Sequence, residues 1–255
     1  MRAGLMVLFD VVSMSLIVGL WGAAAWVTWS VAGALSALGP LAWVIAPLVG
    51  LLALVGVVGM VHRLLPPIRP GRYRLMQDPQ FFAWVARFVL QRALLAPGVG
   101  TLVFQISTLR FLALRALGAK VSFSTSMSSD VVLLDPWLLE AGPDATIGTG
   151  SLIAGHFVDR GHLVLGKVRI GAGSLIAARV VLAPGVSIGR GARVLTHAML
   201  SEDVTIGDGA TVGSDARIDR GAEVRPGVTL GTGCFVHRGA TVTEDQPIRA
   251  EVRSP

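Results

Sequence analysis

Apolar and polar residues follow two different rhythms along this chain. Residues 11–61 contain no Asp, Glu, Lys, Arg or His, an unbroken run of 51 positions. Crossing the hydrocarbon core of a bilayer takes about 20 apolar residues in a helix. The run therefore predicts a transmembrane α-helical hairpin, with passes at 11–30 and 41–61 and a turn around 36–40. Backbone groups facing lipid must be paired within their own segment, which selects helix. Small residues recur at every fourth position in each pass: Ser15, Gly19 and Ala23, then Ala42, Ala46 and Gly50. Such stripes let two helices approach closely. A cleaved signal peptide, with Ala23-Ala24-Ala25 as its cleavage site, is the alternative for the first pass. Asp10 at the head of the run and the second apolar run argue against it.

Residues 63–120 predict an interfacial linker. Pro66-Pro67, Pro70 and Pro79 punctuate it, because each proline disfavours helix at the residue before it. Two apolar stretches follow, 81–95 broken by Arg87 and Arg92, and 102–117 broken by Arg110 and Arg115. Both suit helices lying in a membrane interface with arginines reaching the headgroups. Packing on the hairpin or on the next domain is the alternative.

Beyond residue 120 the rhythm changes to six. Every sixth residue from Val164 is aliphatic: Ile170, Ile176, Leu182, Ile188, Val194, Leu200, Ile206, Val212, Ile218, Val224, Leu230, Val236 and Val242. The fourth residue after each is small or β-branched, as at Ala192, Ala198, Val204 and Ala210. Ile147 and Ile153 extend the array upstream towards Ala141. A period of six keeps strand alternation, but its regular interruptions exclude one long strand. The solution is a solenoid of short strands with glycine-rich corners, each aliphatic side chain stacking on its counterpart one coil away. Residues 141–243 hold about seventeen hexads, hence between five and six three-sided coils. The expected domains are 1–62, the hairpin; 63–120, amphipathic helices and linker; and 121–255, the repeat.

Composition agrees with a divided chain. Of 255 residues 53% are hydrophobic and only 15% charged, against about 25% charged in ordinary soluble domains. That excludes disorder as well as a wholly soluble protein. The net charge of +6 combines +8 over residues 1–120 with −2 over 121–255. Basic residues beside the most apolar sequence point to a membrane surface and away from nucleic acid. Arg63, Arg69, Arg72 and Arg74 follow the hairpin and Arg2 precedes it. The positive-inside rule then places both termini and the repeat domain on the cytoplasmic side of the cell inner membrane. Cys234 is the single cysteine, which excludes internal disulfides and multi-cysteine zinc sites.

The hexad pattern resembles the hexapeptide-repeat acyltransferase family over about residues 118–245. That resemblance implies an all-β left-handed parallel β-helix, homotrimers, and an acyl donor that is a coenzyme A thioester bound between neighbouring prisms. Left-handedness comes from the resemblance alone, since the general rule for crossovers favours the right hand. The segment 117–121, with a membrane segment before it, also resembles the membrane-bound terminal domains of ε-polylysine-type peptide synthetases, which use carrier-bound thioesters. The implied function is a membrane-anchored acyltransferase moving an acyl group from acyl-CoA to an amine or hydroxyl. Amide formation from a carrier-protein thioester, or a non-catalytic trimeric membrane scaffold, are the alternatives.

The chemistry is expected where the array breaks phase. Ile153 and Val164 are eleven residues apart, and the interval holds His156, Asp159, Arg160 and His162. Positions that break a rule kept elsewhere mark candidate sites. Histidine suits a general base because its ordinary pKa of about 6.5 lies near working pH. The family's histidine base matches His156 best, with Asp159 orienting its ring and His162 as the competing base. A backbone N–H of a neighbouring coil would hold the oxyanion. Some hexapeptide-repeat proteins are zinc carbonic anhydrases, but their paired histidine spacing is absent, so no metal is expected. Cys234 falls at a small inward position, His197 and His237 at outward ones, and His62 at the membrane interface.

Overall fold

The structure, a computed structural model, describes residues 2–95 and 99–253. Two compact units are formed, residues 1–67 with 82–117, and residues 68–81 with 118–255.

The first unit is helical. Helix α1 spans Arg2–Ala34, a tight 3-10 turn covers Ser36–Leu41, and α2 spans Ala42–Leu64. The segments Phe9–Ala34 and Ser36–Leu64 are long and apolar enough to cross a membrane. Only one of the two small-residue stripes lies at the helix contact. Ala42, Ala46 and Gly50 are buried, whereas Ser15, Gly19 and Ala23 are exposed. Gly50 is required there: a Cβ would lie 2.0 Å from Thr28 Oγ1 and 2.9 Å from the Ala24 carbonyl oxygen. The outer faces carry Val11, Val12, Trp26 and Val44, all more than half exposed.

Helices α3 (Pro79–Leu95), α4 (Val99–Gln105) and α5 (Ser107–Ala116) follow. The expected single helix at 102–117 is broken because Ile106 adopts an extended conformation (φ −103°, ψ 111°). Arg87 does not reach outward as an interfacial arginine would. It is 4% exposed and donates to His62 Nε2 and the Leu65 carbonyl oxygen, each at 3.2 Å. His62 is correspondingly buried. An arginine desolvated this far needs such acceptors, and the end of α2 supplies them.

The second unit is a parallel β-solenoid with three sheets of seven, six and seven strands. Its rungs stack in strict register. One face runs Val121, Ala141, Ile170, Ile188, Ile206, Val224 and Val242. The next faces begin at Met127 with Ile147, and at Leu133 with Ile153. The coil at 121–133 lies upstream of the expected start of the array. Seven strands at about 4.8 Å spacing make a column roughly 29 Å long. From Ile170 onward each coil takes eighteen residues, the three hexads of the sequence. The interior is fully packed, with Leu182, Val194, Leu200 and Val212 at 0% exposure and Ala192, Ala198, Ala210 and Ala216 filling the narrow second position. Cys234 is among these inward residues, its thiol 3.0 Å from the Pro247 carbonyl oxygen.

Val164, counted above as a rung, is not one. The rung after Ile153 is Ile170, and the sixteen residues between them contain an antiparallel hairpin. Its strands are β2 (His156–Asp159) and β3 (His162–Leu165). A further strand, β1 (Gly71–Arg74), pairs with β3, so the order is β1-β3-β2. Leu163 and Leu165 are buried and Val164 is half-buried, the reverse of what the hexad count requires.

Candidate functional site

The hairpin springs from a solenoid corner at Ala154-Gly155. The coil above contributes Asp135, which precedes a short 3-10 turn at Pro136–Leu138. Gly155 allows these two corners to meet. A Cβ at Gly155 would fall 2.8 Å from Leu138 Cδ1 and 2.9 Å from Asp135 Cβ. The Asp135 side chain is 0% exposed, and Oδ2 accepts the Gly155 backbone N–H at 3.1 Å. The same oxygen lies 2.6 Å from His156 Nδ1. The carboxylate can only accept, so the imidazole carries its hydrogen on Nδ1 and the lone pair on Nε2. The His156 side chain remains 17% exposed. A ring fixed at Nδ1 by a carboxylate and reachable from outside suits a proton acceptor.

Asp159 does not orient His156. Three residues apart on a strand places the two side chains on opposite faces. Asp159 instead lies 3.2 Å from Arg72 Nη2 on β1. His162, paired across the hairpin with Asp159, shares that second face, and its Nδ1 lies 3.1 Å from the Arg160 carbonyl oxygen. The expected base His156 is therefore on one face of the hairpin, and its expected partner Asp159 and the competing base His162 are on the other.

Asp135 is the member that sequence reasoning missed. A signal was present: Leu133 and Ala141 are consecutive rungs separated by eight residues, a second break of phase. Two breaks that fall at adjacent corners of neighbouring coils mark one site.

The return from the hairpin is pinned electrostatically. Lys167 Nζ donates to Glu140 at 2.9 Å, with Lys120 at 3.3 Å and Arg169 at 3.6 Å from the same carboxylate. The Lys167 hydrogen bond, then that of Lys120, hold the Glu140 carboxyl below its usual range. Of the remaining histidines, His197 lies 3.7 Å from Asp215 and His237 2.5 Å from Glu251, both at the surface of the solenoid.

Residues 140–230 match the model of the GlmU-like, C-terminal hexapeptide family. The matched stretch lies within the solenoid and covers 91 of the chain's 255 residues. Solved structures similar to it include the acetyltransferase domain of PglB from Neisseria gonorrhoeae FA1090, at 22% identity over 55% of this chain and 58% of that one, with a TM-score of 0.36. PerB from Caulobacter crescentus, solved in complex with CoA and GDP-perosamine, is 22% identical over 57% and 63% of the two chains, TM-score 0.38. A hexapeptide transferase family protein from Anaplasma phagocytophilum is 22% identical over 51% and 72%, TM-score 0.43. The chain thus spans less than two thirds of the length of the first and second of these structures. No curated protein matches its sequence.

Proposed function

We propose that this protein is a membrane-anchored acyltransferase that passes an acyl group from a coenzyme A thioester to an amine or hydroxyl. The observation carrying this reading is the Asp135–His156 pair, 2.6 Å apart at the root of a hairpin that interrupts an otherwise regular solenoid. His156 Nε2 takes the proton from the acceptor as its nitrogen or oxygen attacks the thioester carbonyl. The new C–N or C–O bond forms, the C–S bond breaks, and coenzyme A leaves as the thiol after reprotonation. Asp135 is a positioning residue that fixes the tautomer and opposes the positive charge that develops on the ring. The donor class follows the resemblance to hexapeptide-repeat acyltransferases and the family match over residues 140–230. Anchoring follows from the two helices long and apolar enough to cross a bilayer. The test is release of free coenzyme A thiol by the detergent-solubilised full chain, supplied with acyl-CoA and a panel of amines and alcohols. His156→Ala is expected to lower turnover by about 10²–10⁴, the usual contribution of a general base. Unchanged turnover in that variant would remove His156 from the mechanism.

A further inference from the structure

The Asp135–His156 pair leaves the other face of the hairpin sheet without a role. On that face, alternation along β1 sets Arg72 and Arg74 side by side, and the register puts Arg74 opposite His162. Together with Gln77, Asp78 and Pro79 they line an open cavity of about 460 Å³. The acidic groups around it are already engaged. Asp159 accepts from Arg72 at 3.2 Å, which aligns that guanidinium along the sheet, and Asp78 Oδ1 accepts the Gln80 backbone N–H at 2.9 Å. Among the described residues no carboxylate lies within 4.0 Å of Arg74. Two guanidiniums on one rigid face, one oriented by a carboxylate and one without a counter-charge, offer forked donors that match phosphate oxygens.

We propose that this cavity binds a phosphate-bearing ligand through Arg72 and Arg74, with His162 at its edge. The site stands independently of the acyl-transfer reading, because it shares no side chain with the Asp135–His156 pair. Its volume admits a diphosphate as readily as a single phosphate. Strand β1 lies in the sequence between two apolar helices, α2 ending at Leu64 and α3 starting at Pro79. A lipid phosphate and a soluble phosphate compound are therefore both sources of the same chemistry.

Calorimetric titration of the full chain in a neutral detergent separates them, using inorganic pyrophosphate, dioctanoyl phosphatidic acid and, as the uncharged control, dioctanoylglycerol. Saturable binding of pyrophosphate is expected if the ligand is soluble, and of phosphatidic acid if it is a lipid, with no binding of the control. Arg74→Gln, which breaks no ion pair of the fold, should weaken the phosphate probe by about tenfold or more, the effect of losing one charge-assisted hydrogen bond. Arg225→Gln, remote on the solenoid, should bind as the wild type does. The proposal is overturned if neither phosphate probe binds, if Arg74→Gln and the double variant Arg72→Gln/Arg74→Gln bind normally, or if Arg225→Gln weakens binding equally.

Discussion

At the scale of single residues, the decisive contrast is between two aspartates. Asp135 is fully buried and 2.6 Å from His156, whereas Asp159 is an exposed partner of Arg72 on the opposite face of the hairpin. Losing the charge of Asp135 while keeping its shape should lower kcat by about 10- to 100-fold, the worth of a charged hydrogen bond. KM should change little. Asp159→Asn should keep turnover within about twofold, and steady-state kinetics of the two variants side by side decide the assignment. A thermal melt of Asp135→Asn separates lost positioning from lost folding. Gly155→Ala is expected to fail in both respects, since its Cβ would meet Leu138 and Asp135 below 3 Å. The histidine was legible in the sequence because the phase break drew attention to it. Its partner left only the second break of phase, between Leu133 and Ala141, and a residue 21 positions earlier becomes a neighbour only once the coils stack.

At the scale of elements, the rungs from Ile170 onward could be read from spacing alone. A hexad repeats the same packing problem, and the same aliphatic solution recurs each time. The hairpin escaped that reading because Val164 is aliphatic for a different reason, the alternation of β3, and happens to fall in step with the array. Stability measurements expose the difference. Leu200→Ala removes a fully buried rung and should cost about 2–5 kcal/mol in urea unfolding. Val164→Ala, on a half-buried hairpin strand, should cost less than about 1 kcal/mol. The Glu140 cluster adds a pH dependence to the coils it joins. Its carboxyl is held low in the folded state by Lys167 and Lys120. The stabilisation is therefore complete above the unfolded pKa and is lost as pH falls through the lower folded value. Glu140→Gln should melt below wild type at pH 7, and the gap should close on acidification.

At the scale of the whole molecule, the +8 of residues 1–120 and the −2 of residues 121–255 predict an oriented protein. A tag at either terminus should be cut by protease in inside-out vesicles and protected in right-side-out ones. The resemblance to trimeric acyltransferases predicts three chains per particle in light scattering after correction for detergent. Both outcomes concern the assembly, and neither depends on the chemistry assigned to His156. The two-unit division was legible only in part. Apolar content marked the helices and the hexads marked the solenoid, but no local pattern announced that residues 68–81 belong with the solenoid, because strand β1 is recruited by a partner far along the chain. That distance has a consequence for biosynthesis. Gly71 pairs with Leu165, so β1 leaves the ribosome more than ninety residues before the strand that completes it. At about 5–20 residues per second the wait is on the order of 5–20 s, during which an unpaired edge can capture the wrong neighbour. Four residues with an arginine at every second position make a poor template for such capture. The charges that line the finished cavity thus also guard the nascent chain while it waits.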